Sequence, residues 1–231
     1  MSLSILCIET STVPFSVAIA RGRETVAMVE NDVRTSLASS ITVMIMECCS
    51  KAAIDLQQID AIAVNEGPGS YTGLRIGLSV AKGLSFALNK PLILLSGLEG
   101  LAYHSIETVN GIDDRTLICS ALDARRDEVY LEVYDHMGAQ VLGATACILP
   151  TSLTLMTGRE DVTQVVAAGD GGPKLISKLG AFNYIESNSR SRADYLIPLA
   201  LRKYENSDFS NVETSEPFYL KPPNITTPKA R

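Results

Sequence analysis

The sequence predicts an α/β protein composed of two similar units, each with a mixed β-sheet and helical crossovers. Three observations support this class. Apolar stretches separated by turn residues open the chain, apolar runs then alternate with helical patterns, and the same order restarts after residue 114. With 231 residues, 46% of them hydrophobic, the chain is long enough to bury one large core or two smaller ones.

The first unit begins with three short apolar stretches, SILCIET, FSVAIARG and ETVAMVE. The turn-like residues STVP and Gly22 separate them, which predicts an antiparallel meander. The elements predicted next are a helix over about 36–52, a strand over 61–64, a helix over about 71–88, a strand over 91–95 and a helix from near Ser96. This order contains the unit βββαβα of a ribonuclease-H-like fold, in which helical crossovers join the later strands.

A polar stretch at residues 107–114, ETVNGIDD, interrupts this pattern and predicts a domain boundary. The N-terminal subdomain is accordingly placed at 1–106 and the C-terminal subdomain at 107–231. The chain then repeats its opening: ICSALDAR followed by EVYLEVYD resembles ILCIETST followed by FSVAIARG, with Asp123 and Glu9 ending the first strand of each. The two halves are therefore predicted to be duplicated βββαβα units.

The second half continues with the apolar segment QVLGATACIL, a short helix, the strand QVVAAG and the turn GDGGPKLI leading into a helix. A helix is predicted over about 190–205, where basic residues alternate with apolar ones as on an amphipathic helix with a solvated face. The proline-containing end, EPFYLKPPNITTPKAR, excludes a helix and is predicted to be either extended or disordered.

The composition excludes several classes of function. A net charge of −6 and a pI near 5.0 argue against broad nucleic-acid binding by this chain alone, so a partner would have to supply most contacts to any RNA. No run reaches the roughly 18 apolar residues of a membrane span, and the start lacks the features of a signal peptide, so the chain is expected in the cytoplasm. The five cysteines lack C-x-x-C spacing and are predicted to be core residues.

The segment NEGPGSYTGLRIG (65–77) combines a strand end, a glycine-rich turn and a helix start, which is an arrangement that accepts anions. Its spacing is not that of a P-loop, because no Gly-Lys-Ser/Thr follows. The dinucleotide fingerprint is matched at Gly67 and Gly69 but has Thr72 in place of the third glycine. The alternative is a tight turn followed by a helix that Ser70 caps.

The helix that follows this segment has small residues at every fourth position, Gly73, Gly77, Ala81 and Ser85. Each helical glycine costs about 0.8–1 kcal/mol relative to alanine, so a close approach of another backbone is expected to offset the loss. The neighbouring helix, SLASSITVMIMECCSKA, is also apolar on several faces. Two interpretations stay open: the helices form a subunit interface, or they cover each other and the sheet within one monomer.

The first hairpin has acidic and hydroxyl side chains that could meet phosphate and magnesium, namely Glu9, Thr10, Ser11 and Thr12. Asp123 lies at the matching turn of the second half. Actin-like and sugar-kinase-like proteins hold ATP between two such turns. The alternative is that each carboxylate only caps its turn. The two histidines are far apart and no G-x-S-x-G elbow occurs, so neither a histidine metal site nor an assembled catalytic centre is predicted.

Five segments in this order and at this spacing resemble the bacterial TsaB (YeaZ) family, which has the actin-like ATPase superfold. They are ILCIETST, AVNEGPGSYTGLRIGLSVAKGL, ALDARRDEVY, GDGG and EPFYLK, and the resemblance spans nearly the whole chain. It implies a non-catalytic accessory subunit in the synthesis of N6-threonylcarbamoyladenosine at tRNA position 37. The implied partners are TsaD, which carries the active site and receives the group from threonylcarbamoyl-adenylate, and the ATPase TsaE, with tRNA contacted only through the complex.

The resemblance also bears on catalysis. The catalytic relative carries an H-x-x-x-H metal pair on the helix after its third strand, whereas the corresponding stretch here, RTSLASSITVM, has no histidine. The metal reaction is therefore not expected at this position, and the older glycoprotease (M22 peptidase) label needs the same metal. The cleft is expected to be a degenerate nucleotide site, with ATP or ADP as its candidate ligand. The residues assigned to it are Glu9, Thr10, Ser11, Asp123, Gly169 and Gly171.

By the same resemblance, GPGSYTGLRIG begins the helix that pairs with TsaD, or with a second copy when TsaD is absent. The residues assigned to partner binding are Ile41, Ile45, Gly73, Leu74, Arg75, Gly77, Leu78, Ala81 and Ser85. On this basis Gly77→Leu is expected to abolish association and leave the monomer folded. Two rival functions remain, a stand-alone actin-like or sugar-kinase-like ATPase and a homodimeric scaffold without a role in tRNA modification.

Overall fold

The computed structural model describes residues 2–33, 36–150, 156–178, 182–187 and 189–222. The first half consists of β1 (Ser4–Glu9), β2 (Phe15–Arg21), β3 (Glu24–Asn31), α1 (Leu37–Ala52), β4 (Ala61–Gly67), α2 (Tyr71–Leu88), β5 (Leu92–Ser96) and α3 (Gly97–Thr108). The second half consists of β6 (Thr116–Asp123), β7 (Glu128–Asp135), β8 (Gln140–Ile148), β9 (Gln164–Ala168), α4 (Gly172–Lys178), β10 (Asn183–Glu186) and α5 (Ile197–Glu205). The short helix predicted after β8 lies largely outside the described residues.

The two halves repeat one sheet topology. The first sheet has the order β3-β2-β1-β4-β5 and the second, read in the same direction, β8-β7-β6-β9-β10. In each, the first three strands are antiparallel and the last two add in parallel. The predicted duplication of a ribonuclease-H-like unit is confirmed, and only the last strand of the second sheet, β10, was not predicted.

The strand β1 shows why the central strands are apolar without alternation. Leu6 and Ile8 face one layer of helices, α1 and α2, while Ile5 and Cys7 face the other side of the sheet. A strand covered on both faces buries every side chain, so the period of two disappears from its sequence. The predicted burial of all five cysteines is confirmed, and all five are free thiols.

The two units exchange helices. The helix predicted over 190–205 is present as a 3-10 turn followed by α5, but it packs against the outer face of the first sheet. There, the backbone N–H of Ala193 donates to Ser16 Oγ at 2.9 Å. Conversely, α3 follows the first sheet and covers the second, where Leu101 packs with Leu122. The segment 107–231 therefore does not pack as one separate unit, since its last helix completes the first core.

A buried carboxylate lies where the units meet. Glu132 on β7 is 4% exposed, and its Oε2 accepts a hydrogen bond from Ser96 Oγ at 3.2 Å. Ser96 Oγ in turn accepts the backbone N–H of Glu99 at the start of α3, and Gln140 Nε2 donates to Glu132 Oε1. Burial raises the pKa of Glu132 above its usual 4.5, although the hydrogen bonds oppose this shift.

This arrangement predicts a pH dependence of stability. Because the folded-state pKa of Glu132 lies above the unfolded value, the folded protein binds the extra proton, and the stability gained falls as the pH rises from about 4.5 through the raised pKa. Glu132→Gln is expected to remove this contribution, so that in urea titrations the unfolding free energy falls less steeply as the pH rises above about 4.5. Glu107→Gln, an exposed carboxylate nearby, is the control and should leave the slope unchanged.

Candidate functional site

A cleft of about 410 Å³ separates the two units. Its walls are the β1–β2 turn, the loop between β4 and α2, the β6–β7 turn and the chain segment 218–222. Its position between matching hairpins is the one that the duplicated fold predicts. The described part of the chain contains no helix that is long and apolar enough to cross a membrane.

Gly67 and Gly69 of the GPGS loop are required because other segments of the chain approach them too closely for a side chain. A Cβ on Gly69 would lie 2.5 Å from Ser11 Cβ, and one on Gly67 would lie 2.4 Å from the carbonyl oxygen of Phe218. Ser70 caps α2, since its Oγ accepts the backbone N–H of Gly73 at 3.2 Å. The capped-turn interpretation is confirmed, while anion binding at this loop stays a prediction.

Glu9 points into the protein rather than into the cleft. It is fully buried, and its Oε1 accepts the N–H of Ser11 while its Oε2 accepts Asn65 Nδ2, both at 2.6 Å. Asn65 Oδ1 accepts the N–H groups of Gly67 and Gly97 at 2.8 and 3.0 Å. Burial raises the pKa of Glu9, although these hydrogen bonds lower it. The two carboxylate oxygens of Glu9 thus connect the end of β1 to the end of β4. The assignment of Glu9 as a nucleotide ligand is corrected accordingly.

Thr10 is also fully buried and lies under α2. Like Glu9, it does not line the cleft, so its assignment as a ligand is corrected for the same reason. The sequence could not distinguish a hairpin whose polar groups face a ligand from one whose polar groups hold the sheet together. Asn65, at the end of an apolar run, was the signal for the second arrangement.

Ser11 and Asp123 do line the cleft as predicted. Gly169 and Gly171 lie behind its wall, where a Cβ on Gly169 would lie 2.1 Å from the carbonyl oxygen of Ala121. These glycines therefore allow strand packing rather than ligand contact.

The residue between those glycines, Asp170, reaches the cleft and was missed from the sequence. Its Oδ1 accepts the backbone N–H of Asp123 at 3.0 Å, and burial raises its pKa. Asp123 accepts Lys174 Nζ at 2.6 Å, which lowers the pKa of Asp123 against the opposing effect of burial. The acidic wall of the cleft is therefore partly neutralised by its own neighbours.

The end of the chain, as far as it is described, is extended, which was one of the two alternatives predicted for it. It crosses from one unit to the other. The N–H of Phe218 donates to the carbonyl of Glu66 at 2.7 Å. The ring of Tyr219 stacks on Tyr71 with centroids 4.7 Å apart, and its hydroxyl accepts Arg75 Nε at 2.9 Å. Lys221 then pairs with Glu128 on β7. The rest of the predicted tail, 223–231, lies outside the described residues.

No group of three or more His, Cys, Asp or Glu side chains is placed to hold a metal ion within the described ranges. His104 stacks on Tyr195 at 3.8 Å, and burial lowers its pKa. The structure places it in packing between α3 and the turn before α5.

The predicted stripe on α2 is not a free surface. Eight of the nine residues assigned to partner binding are buried within the monomer, and Arg75 is the exposed one. A Cβ on Gly73 would lie 2.0 Å from the carbonyl oxygen of Thr10, and one on Gly77 would lie 2.2 Å from Thr10 Oγ1. Gly73 and Gly77 admit the end of β1, and Ala81 and Ser85 are buried as well, so of the two interpretations the intramolecular one is confirmed for these small residues. Their assignment to a partner is wrong.

The exposed side of the same helices carries three large apolar side chains. Val43 and Met46 on α1 are 63% and 58% exposed, and Phe86 on α2 is 81% exposed. The ridge of α2 next to Phe86 has the small residues Ser79 and Gly83, and a Cβ on Gly83 would meet no atom within 4 Å. We call these five residues the α1–α2 face. Large apolar side chains exposed on two packed helices are typical of protein–protein interfaces.

Comparison with known proteins finds relatives that are named for tRNA modification. Residues 31–174 match the family model described as TsaD, tRNA N6-adenosine threonylcarbamoyltransferase. The chain is 29% identical over 224 residues to the tRNA threonylcarbamoyladenosine biosynthesis protein TsaB of Escherichia coli, covering 95% of each. It is 36% identical over 129 residues to the TsaB of Haemophilus influenzae, covering 56% of this chain and 52% of that protein, so this match spans about half of that relative.

Two further similarities concern a threonylcarbamoyltransferase and the fold. A tRNA N6-adenosine threonylcarbamoyltransferase of Symbiobacterium thermophilum is 37% identical over 103 residues, 44% of this chain and 29% of that protein. The solved structure of YeaZ from Pseudomonas aeruginosa superposes with a TM-score of 0.78 at 26% identity, covering 94% of this chain and 100% of that one. The fold is the duplicated, actin-like arrangement that the sequence predicts.

Proposed function

We propose, because the chain belongs to the TsaB (YeaZ) family, that it is an accessory subunit in the synthesis of N6-threonylcarbamoyladenosine in tRNA. It binds the catalytic subunit, TsaD, and supports it without carrying out the transfer itself. The observation that carries this proposal is the α1–α2 face, which presents Val43, Met46 and Phe86 to solvent on two helices that pack against each other.

The likeness to TsaD supports a paired geometry. The matched region, 31–174, includes α1 and α2, so a TsaD subunit is expected to have an equivalent helix pair. Two such pairs pack around a pseudo-twofold axis, as identical patches do in a symmetric dimer. The same face supports a homodimer when TsaD is absent. Gly83 on this face permits close helix approach, although glycine costs about 0.8–1 kcal/mol in a helix interior.

The chemistry of the chain fits a supporting role. The stretch corresponding to the metal-binding helix of the catalytic relative has no histidine, and the described residues hold no metal-binding cluster. A net charge of −6 leaves most tRNA contacts to the partners. TsaE, the ATPase of the complex, joins the pair of TsaD and this chain.

Reconstitution tests this proposal. Transfer of the threonylcarbamoyl group from threonylcarbamoyl-adenylate to tRNA is measured with TsaD and TsaE, with and without this chain, beside ATP hydrolysis by this chain alone. The proposal expects modification only when the chain is present and no hydrolysis by it alone. Turnover of ATP without partners, with no effect on tRNA, would favour the rival ATPase function.

Phe86→Asp is expected to weaken the affinity for TsaD by about 30-fold or more, since a buried charge replaces an aromatic anchor. Modification of tRNA should fall accordingly, whereas the unfolding midpoint of the free chain should not decrease. Met137→Asp is the matched control, because Met137 is 77% exposed but lies on the second unit. Equal affinity of both variants for TsaD by titration calorimetry would place the interface elsewhere.

A further inference from the structure

The last described segment of the chain, residues 210–222, runs over the first unit, and we call it the strap. It is held there through its backbone. The N–H of Ser210 donates to the carbonyl of Leu92 on β5 at 2.8 Å, and Lys82 Nζ on α2 donates to the carbonyl of Ser215 at 2.9 Å. Because the strap uses its own backbone groups in these bonds, its path along β5 and α2 is fixed.

The middle of the strap also has a seat on the first unit. A Cβ on Gly67 would lie 2.4 Å from the carbonyl oxygen of Phe218, so the loop before α2 has room for the strap because it carries a glycine there. The next residue, Tyr219, stacks on Tyr71 and accepts a hydrogen bond from Arg75, both near the start of α2. The first unit therefore binds the strap closely up to residue 219.

The contact of the strap with the second unit is of a different kind. Leu220 and Pro222 line the cleft, and Lys221 pairs with Glu128 at the start of β7. The side chains of this pair are 37% and 25% exposed. Ion pairs that water reaches contribute little to stability and weaken as salt is added. The strap is thus held firmly on the first unit and weakly on the second.

The strand β7 carries a second, deeper contact with the first unit. Glu132 is buried and accepts the hydrogen bond of Ser96, whereas Glu128 meets the strap beside the cleft. The two glutamates are four residues apart, so their side chains share one face of the strand and lie about 13 Å from each other along it. A rotation of the second unit about the buried contact would therefore separate Glu128 from Lys221 and leave the bond at Glu132 in place.

We propose that the strap is a latch between the two units. The pair of Lys221 and Glu128 holds them together beside the cleft, and its release lets the second unit rotate about the contact at Glu132 while the strap stays on the first unit. The cleft then widens on the side of the β6–β7 turn. Added salt favours this open arrangement, because it screens the ion pair. The latch involves no ligand and no partner protein, so it goes beyond the proposed function.

Pulsed electron paramagnetic resonance on the isolated chain tests the latch. Spin labels are attached at Thr72→Cys on α2 and Arg126→Cys on the β6–β7 turn, both exposed positions, while the five native cysteines are buried and stay unlabelled. In Lys221→Glu, two carboxylates replace an ion pair, so we expect longer distances between the labels and a ratio of open to closed molecules raised about five-fold. Lys178→Glu is the matched control, because Lys178 pairs with Asp127 of the same turn but both belong to the second unit. It should keep the wild-type distances.

Reversal of the ion pair completes the test. Glu128→Lys combined with Lys221→Glu restores opposite charges, so we expect the wild-type distances to return, which local damage at either position would not allow. The proposal is overturned if Lys221→Glu leaves the distances unchanged, if Lys178→Glu lengthens them equally, or if the reversed pair does not restore them. Circular dichroism checks that each variant is folded, and should Lys221→Glu not fold, Lys221→Gln gives the same test with a smaller change. Because no partner protein is used, failure here leaves the proposed accessory function untouched.

Discussion

Gly73→Ala is expected to lower the free energy of unfolding by about 1–3 kcal/mol, although alanine is the better helix former. The new Cβ would lie 2.0 Å from the carbonyl oxygen of Thr10, which is backbone at the end of a central strand and has no rotamer to change. Either α2 or β1 has to shift. Urea unfolding followed by circular dichroism measures the loss. The expectation from the sequence that Gly77→Leu leaves the monomer folded is corrected by the same packing: a Cβ on Gly77 meets Thr10, so this larger change is expected to prevent folding.

Gly83→Ala is the control on the same helix. Its Cβ would meet no atom within 4 Å, so only helix propensity changes, and the free energy of unfolding should rise by up to about 1 kcal/mol. Gly73→Ala as stable as wild type would contradict the packing described for β1 and α2. The pair separates a glycine required by the monomer from one that the monomer does not require.

These two glycines show what the sequence could predict about α2 and what it could not. The spacing of four correctly predicted a small-residue stripe and a close backbone approach. It did not identify the partner, because the approaching atoms belong to Thr10, more than sixty residues earlier in the chain. A stripe of small residues has the same pattern whether it faces its own sheet or another subunit.

The fold was more predictable than the packing of its helices. The order of elements along the chain and the duplication followed from local signals, since hairpins and crossovers are built from neighbouring segments. The exchange of α3 and α5 between the units was not predictable, because the apolar side of a helix such as α5 carries no information about which sheet it covers. The two helices instead fix the units to each other.

The candidate site, like the fold, was predictable from the sequence only in part. The equivalence of Glu9 and Asp123 was predicted and is present in detail: each accepts the N–H of the residue two positions later, Ser11 or Arg125, at 2.6 Å. Their surroundings differ, since Glu9 is fully buried while the side chain of Asp123 is 44% exposed. Burial depends on the residues that cover each turn, which no local pattern records.

This difference predicts a large loss of stability at Glu9 and a small one at Asp123 for the same substitution. Glu9→Ala is expected to lower the free energy of unfolding by roughly 2–5 kcal/mol, because the N–H of Ser11 and Nδ2 of Asn65 lose their acceptor in a buried site. Asp123→Ala, its equivalent in the second unit, removes an exposed pair with Lys174 and is expected to cost no more than about 1 kcal/mol.

Glu9→Gln distinguishes a structural role of Glu9 from a role in ligand binding. It keeps the shape but puts one amide donor opposite a donor, so we expect a smaller loss of stability than for Glu9→Ala. If Glu9 held a ligand instead, Glu9→Gln would weaken ligand binding and leave the urea midpoint near that of wild type. We expect the urea midpoint to be lowered least by Asp123→Ala, more by Glu9→Gln and most by Glu9→Ala. That order would show that Glu9 stabilises the junction of β1, β4 and α3, since Asn65 connects all three.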